Sequence, residues 1–170
     1  IAKSLEKPTI AAVNGVAAGA GMALALACDL RVGCENSRFK TVFIERSLSP
    51  DSGLSYFLPR VVGLSRAFDF LSTSRMVNSD EAYRVGLLDR LVAADDLLSA
   101  ANELASEIAF WPPVAMQITK RVLLHSLEST LEEQLKYERQ GLELARRAPR
   151  DVEEARASFL EKRPPHFTGG

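Results

Sequence analysis

One stretch constrains the fold more than any other: Lys7 to Asp29, KPTIAAVNGVAAGAGMALALACD. It opens on Pro8, runs through the apolar residues Ile10 to Val13, and turns at Asn14-Gly15. Small residues follow from Val16 to Gly21, and then an Ala- and Leu-rich run from Met22 to Ala27. The pattern reads as a short strand, a glycine-bearing turn and the start of a helix. Glycine there lets the backbone come close to another group, and the first N–H groups of a helix have no intrahelical acceptor. Together with the positive end of the helix dipole, such N–H groups suit an oxygen that carries negative charge. The same small-residue turn also serves tight helix–strand packing, so the local chemistry outlines an oxyanion site without requiring one.

Composition removes several function classes. A formal net charge of −1 over 170 residues does not fit a nucleic-acid binder, which needs clustered Lys and Arg. With 46% hydrophobic and 25% charged residues, the chain has the make-up of an ordinary globular protein, one domain or a core with an appendage. Cys28 and Cys34 are too few for a disulfide framework and are expected as reduced thiols near the core, in a cytoplasmic setting. His125 and His166 stand apart from any paired ligand spacing, so no metal is expected. Apolar runs fall short of the roughly 18 residues a membrane span needs, and no membrane partner is expected. The N-terminus, IAKSLEKPTI, has no signal-peptide layout and no initiator Met, as expected of a chain that begins inside a longer protein.

In chain order, Ile1 to Leu5 reads as the tail of a helix that Pro8 ends. Asp29 to Gly33 alternates like a second strand; a polar loop and a brief apolar stretch, Phe39 to Ile44, follow. Two strands flanking a helix predict a parallel β-α-β unit and α/β architecture. Ser49 to Gly53 is a turn, and Pro59 is expected to interrupt the segment that begins at Leu54. Short helices are predicted over Ser65 to Ser72 and from a cap at Ser79 to Gly86, then a strand over Leu87 to Val92. From Ala94 onward the pattern is helical: Asp95 to Ala109, a long amphipathic helix or pair over Val114 to Leu144, and Asp151 to Leu160, before a Pro- and Gly-rich tail. Residues 1–94 are thus read as an α/β part and 95–170 as a helical part.

Four motifs carry a family resemblance: KPTIAAVNGVAAGAGMALALACDLRV, SPDSGLSYFLPRVVGLSRAFDFL, the run from Ser79 to Val92, and the closing FLEKRPPHFTG. In this order they resemble the crotonase superfamily, the enoyl-CoA hydratase/isomerase (ClpP/crotonase) fold. The resemblance implies a partial spiral of β-β-α turns over 1–94, then a helical trimerisation region and tail over 95–170. It also implies an acyl-CoA substrate, fatty-acid-type metabolism, assembly as a homotrimer or a hexamer of two stacked trimers, and no cofactor beyond the coenzyme A of the substrate. It covers the later two-thirds of such a fold; the earlier turns are expected to lie outside this sequence.

Proton removal alpha to a thioester, or addition beta to it, builds charge on the thioester oxygen, and losing one fixed N–H donor typically costs about 3 kcal/mol of barrier. By motif, the donor here is the Ala20 N–H, with Gly19 and Gly21 keeping the approach open and Ala20 standing where glycine is usual. The second donor belongs to the earlier turns. Hydratases place glutamates where this chain has Ala23 and Phe43, neither of which moves a proton; these two are expected to line the substrate. Glu45, two residues on, is read as a surface or salt-bridged acid. Isomerase-like relatives carry a carboxylate at the position of Asp51, which is read as the proton carrier, with Phe43 as apolar lining that would raise its pKa. A turn or cap role for Asp51 is the plainer alternative. His125 is read as a packing or surface histidine and His166 as a tail residue; Lys120-Arg121 and Lys162-Arg163 are read as solvated or salt-bridged cations, or contacts to CoA phosphates. The reading leans to an enoyl-CoA isomerase. A hydratase-like lyase acting on an unusual acyl-CoA, and a non-catalytic fragment or assembly subunit, are the alternatives.

Overall fold

Pro8 releases the chain into strand β1 (Ile10–Val13), and Asn14-Gly15 redirects it at once into β2 (Val16–Ala18). A computed structural model describes residues 4–170; the helix tail expected over Ile1 to Leu5 begins on residues outside that range. Helix α1 (Ala20–Ala27) follows β2, and the next pass gives β3 (Leu30–Cys34) and β4 (Arg38–Lys40). β3 lies parallel to β1, with Ile10 opposite Leu30 and Val13 opposite Gly33. β4 lies parallel to β2, with Val16 opposite Arg38. Each pass of chain therefore adds one strand to each of two sheets, which is the β-β-α spiral. β6 (Arg90–Val92) extends the first sheet parallel to β3, and β5 (Val77–Asn78) closes the second antiparallel to β4. The predicted β-α-β relation holds for β1 and β3. The strand β2 inside the turn was not predicted, because three small residues carry no alternation.

Side chains bolt successive passes together. Asp29 Oδ2 accepts the Thr9 N–H at 2.7 Å and the Thr9 hydroxyl at 2.9 Å. The Ser37 hydroxyl donates to the Val13 carbonyl at 2.6 Å and accepts the Cys34 N–H at 2.8 Å. A Cβ on Gly33 would sit 2.4 Å from Leu88 Cδ1, so close packing requires glycine there.

Helix α2 (Leu54–Val62) corrects the expectation at Pro59, because the helix runs through it. Leu54, Leu58 and Val62, one turn apart each, are at most 4% exposed. Burying side chains of this kind is worth about 1.5–3 kcal/mol apiece, which outweighs the roughly 3 kcal/mol cost of an interior proline. Ser55, whose carbonyl Pro59 leaves without its usual N–H, is exposed to water. α3 (Leu64–Thr73) buries Ala67 and Phe70. The cap of α4 (Ser79–Val85) is Asn78, not Ser79: Asn78 Oδ1 accepts the Glu81 N–H at 2.9 Å, while Ser79 Oγ turns to the Glu35 carbonyl. Asn78→Ala is expected to cost about 1 kcal/mol and Asn78→Ser almost nothing, read as a shift in denaturation midpoint. Equal losses in both would show that the cap contributes nothing.

The described chain forms two compact units, Thr9–Leu104 and Ala105–Gly170 with Glu6–Pro8. The boundary falls inside α5 (Leu97–Ala109), later than the change of pattern at residue 94. In the second unit the long amphipathic segment resolves into a pair, α6 (Pro113–Ser126) and α7 (Leu131–Ala145). The break is set by Thr130, which forms a reciprocal capping box with Glu133. A Cβ on Gly141 would lie 3.0 Å from Val122 Cγ2, so α7 meets α6 closely there. His125 stacks on Tyr137 at 3.9 Å, with Nδ1 2.9 Å from Gln134 Oε1, a packing role as expected. Along α8 (Pro149–Glu161) the tail is held by two carboxylates. Asp151 accepts the Thr168 and Gly169 N–H groups, and Glu154 accepts the His166 N–H. The Arg163 guanidinium, with that N–H, holds the Glu154 carboxyl down to about 2. Among the described residues no helix is long and apolar enough to cross a membrane.

Candidate active site

The first intrahelical bond of α1 runs from the Ala23 N–H to the Gly19 carbonyl at 3.0 Å. The N–H groups of Ala20, Gly21 and Met22 therefore precede the ladder. Ala20 and Gly21 are exposed, whereas Met22 is 1% exposed and faces the core. No acidic side chain occupies the first turn to neutralise its positive end. Gly19 sets the geometry. It sits at φ 50°, ψ −117°, is buried, and donates its own N–H to the Lys40 carbonyl at 3.0 Å. A side chain there would meet both a backbone penalty and Val42 Cγ2 at 3.1 Å. A Cβ on Gly21, by contrast, would meet nothing within 4 Å, so that approach is open.

Val42 and Phe43 form the wall beside Gly19. The Phe43 ring, 6% exposed, reaches to 3.8 Å of a Cβ built on Gly19. Val42 adopts φ 58°, an outlier for a β-branched residue that costs of order 1–3 kcal/mol. Its N–H donates to Ser74 Oγ at 3.1 Å, and the neighbouring Thr41 hydroxyl donates to the Phe70 carbonyl at 2.8 Å. Ser74 itself is left-handed, with φ 50°, and buried. Sequence reasoning missed Val42 and Ser74. A non-glycine residue at positive φ leaves no local signature; Val42 is the centre of a γ-turn closed by the Phe43 N–H on the Thr41 carbonyl at 2.9 Å, and Ser74 takes its N–H.

The residues singled out from sequence fall in distinct environments. Ala23 is buried on the core side of α1, 1% exposed, and shares the core with Phe43. Glu45 points outward and pairs with Lys40 Nζ at 2.6 Å; Lys40, with the Ser74 hydroxyl, holds its carboxyl below the usual range. Glu45 is thus the salt-bridged surface acid that was expected. Asp51 is exposed, in the turn before α2, and α2 packs on α1. Its Oδ1 accepts the Ser52 hydroxyl at 2.8 Å, while its backbone carbonyl takes the Leu54 N–H that opens the helix. The carboxylate therefore keeps acceptor capacity that a capping role would have consumed. Lys120 is buried and donates to the Lys7 carbonyl, and Arg163 is taken up by Glu154 and Glu161. No group of three metal-ligating side chains is gathered among the described residues.

With unpaired N–H groups at a helix start, an apolar wall and the exposed Asp51 carboxylate, the first unit has parts that suit enolate chemistry. Comparison with known proteins gives this arrangement relatives. A family model described as enoyl-CoA hydratase/isomerase matches residues 2–170. A probable enoyl-CoA hydratase of Mycobacterium tuberculosis is 40% identical over 168 residues, covering 98% of this chain and 59% of its own length. The 1,2-epoxyphenylacetyl-CoA isomerase of Escherichia coli is 36% identical over 165 residues, 97% of this chain and 63% of that one. Among solved structures, a probable enoyl-CoA hydratase/isomerase from Mycobacterium abscessus superposes with TM-score 0.93 at 39% identity, covering 99% of this chain and 65% of that chain. An enoyl-CoA hydratase from Bacillus anthracis superposes with TM-score 0.96 at 32% identity over the same shares. The chain thus spans less than two-thirds of the length of these relatives.

Proposed function

The chain belongs to the enoyl-CoA hydratase/isomerase family, and from that premise we propose that it is part of an acyl-CoA enzyme that shifts a double bond. The observation that carries this reading is the pairing of two apolar side chains, Ala23 and Phe43, with one exposed carboxylate, Asp51. Hydration of an enoyl thioester needs a group to position and activate water, and the positions that serve this in hydratases are here a methyl and a phenyl ring. A 1,3 proton shift needs one carboxylate. Asp51 takes the proton from C2 of a 3-enoyl-CoA; the electron pair moves onto the thioester oxygen, which the Ala20 N–H stabilises. The enolate then collapses as the proton returns at C4, leaving the 2-enoyl-CoA with no atom gained or lost. Coenzyme A arrives as part of the substrate, so the proposal needs no separate cofactor.

A hydratase-like lyase acting on an unusual acyl-CoA is the second reading, favoured by the hydratase names of several relatives. The test is to supply the protein from its complete reading frame with a 3-enoyl-CoA and a 2-enoyl-CoA in deuterated water. Double-bond migration with deuterium entering at C2 or C4 is expected. Water addition without migration would favour the second reading, and inertness toward both would favour a non-catalytic assembly subunit. Assembly as a homotrimer or a stacked pair of trimers belongs to the same proposal. It is supported by the exposed apolar side chains Leu131, Phe159 and Leu160, 76%, 81% and 68% exposed, and is checked by the mass in solution.

A further inference from the structure

Two non-glycine residues with positive φ meet in the first unit, Val42 at 58° and Ser74 at 50°. Val42 lies in the corner after β4, and Ser74 ends α3. Their link is the hydrogen bond from the Val42 N–H to Ser74 Oγ, 3.1 Å, with Ser74 only 2% exposed. The corner is fastened twice more, by the Thr41 hydroxyl on the Phe70 carbonyl and by the Phe43 N–H on the Thr41 carbonyl. A strained turn, closed locally by the Phe43 N–H, is thus braced from α3. Its product is specific: Val42 Cγ2 and the Phe43 ring are pressed against Gly19, one residue before the Ala20 N–H.

We propose that Ser74 is a positioning residue for the acyl-CoA chemistry. By accepting the Val42 N–H it braces that strained turn, fixes the wall beside the Ala20 N–H and so aligns the thioester oxygen with that donor. This rests on the enoyl-CoA reading above. Ser74 touches no reacting atom; it acts through Val42 and Phe43. Without its hydroxyl, the Val42 N–H loses its acceptor and the strained φ loses one of the bonds that oppose relaxation. Relaxation would swing Phe43 away from Gly19.

Ser74→Ala, made in the protein from its complete reading frame, is expected to lower kcat about tenfold while KM stays within about twofold, because alignment is lost rather than binding. The Val42 amide should exchange its hydrogen faster. Ser74→Cys, which keeps a weaker acceptor, should lose only about threefold. A Ser74 that merely stabilised the fold would lower the melting temperature without this ordered loss of kcat from serine through cysteine to alanine. If Ser74→Ala does not accumulate, the Ser74→Cys variant carries the test alone. A kcat within twofold of wild type in these Ser74 variants, or a loss that falls on KM instead of kcat, overturns the proposal. An inactive wild type whose Val42 amide still depends on Ser74 overturns the enoyl-CoA reading instead, and equal exchange in wild type and variant overturns the clamp.

Discussion

Replacement of Asp51 by asparagine is expected to lower turnover of a 3-enoyl-CoA by at least about 100-fold, the lower end of what a positioned acid–base group contributes. The substitution is nearly isosteric and cannot carry a proton between C2 and C4. Its structural cost is small for reasons visible in the turn. The Ser52 hydroxyl that donates to Asp51 Oδ1 at 2.8 Å can donate equally to an amide oxygen. The Leu54 N–H bonds the backbone carbonyl of residue 51, which the substitution leaves in place. Stability should therefore move by no more than about 0.5 kcal/mol, as for other exposed sites. KM should change little, because the carboxylate acts on the proton and not on the CoA. Glu45→Gln is the matched control: that carboxyl is committed to Lys40, so turnover should survive its loss. If Asp51→Asn turns over at the wild-type rate, the proton is carried by another group and the isomerase reading fails.

How far the sequence disclosed these features depended on whether local chemistry or tertiary contact set each one. β1 and α1 were legible because an apolar run and an Ala- and Leu-rich run each carry their own pattern, with glycines marking the junction. The cap at Gly86 was legible for the same reason, since glycine is the residue that accepts φ 87° without penalty. Pro59 misled because its local cost is real, yet three buried side chains on the opposite register of α2 outweigh it, and burial is not a local quantity. The helix break before Leu131 was legible in principle, as Thr130 followed by Glu133 is a capping pattern; the apolar spacing on both sides concealed it. β2 and β5, three and two residues long, are strands only because β4 lies between them. At the candidate site, Gly19, Ala20 and Phe43 could be found from motif order. The clamp from Ser74 to Val42 could not, because the partners are 32 residues apart and neither residue type favours the conformation it adopts.

The second large effect is expected in the first sheet, where Asp89→Ala should destabilise the fold by about 3 kcal/mol, seen as a lower denaturation midpoint at unchanged slope. Arg31, on β3, is 6% exposed, and its guanidinium is satisfied on three sides: the Leu87 carbonyl at 3.0 Å, the Cys28 carbonyl at 3.2 Å and Asp89 Oδ2 at 2.9 Å. The same Asp89 oxygen accepts the Arg31 N–H at 2.7 Å, so one carboxylate neutralises the cation and tethers its backbone. Removing it leaves a buried cation with neutral partners alone, a loss usually worth about 3–5 kcal/mol. The Asp89 side chain is itself 32% exposed, so water can enter behind a deletion, which places the effect at the lower end of that range. The asymmetry is the informative part. Arg31→Met removes the buried charge and strands only a carboxylate that water already reaches, so it should cost less than Asp89→Ala. Asp89→Asn, which keeps an acceptor for both N–H donors, should fall between them. Equal losses in all three variants would mean that the side chains act through packing and not through the unpaired cation. Activity should follow stability alone, because the Cys28 carbonyl that Arg31 grips lies past the far end of α1 from the Ala20 N–H.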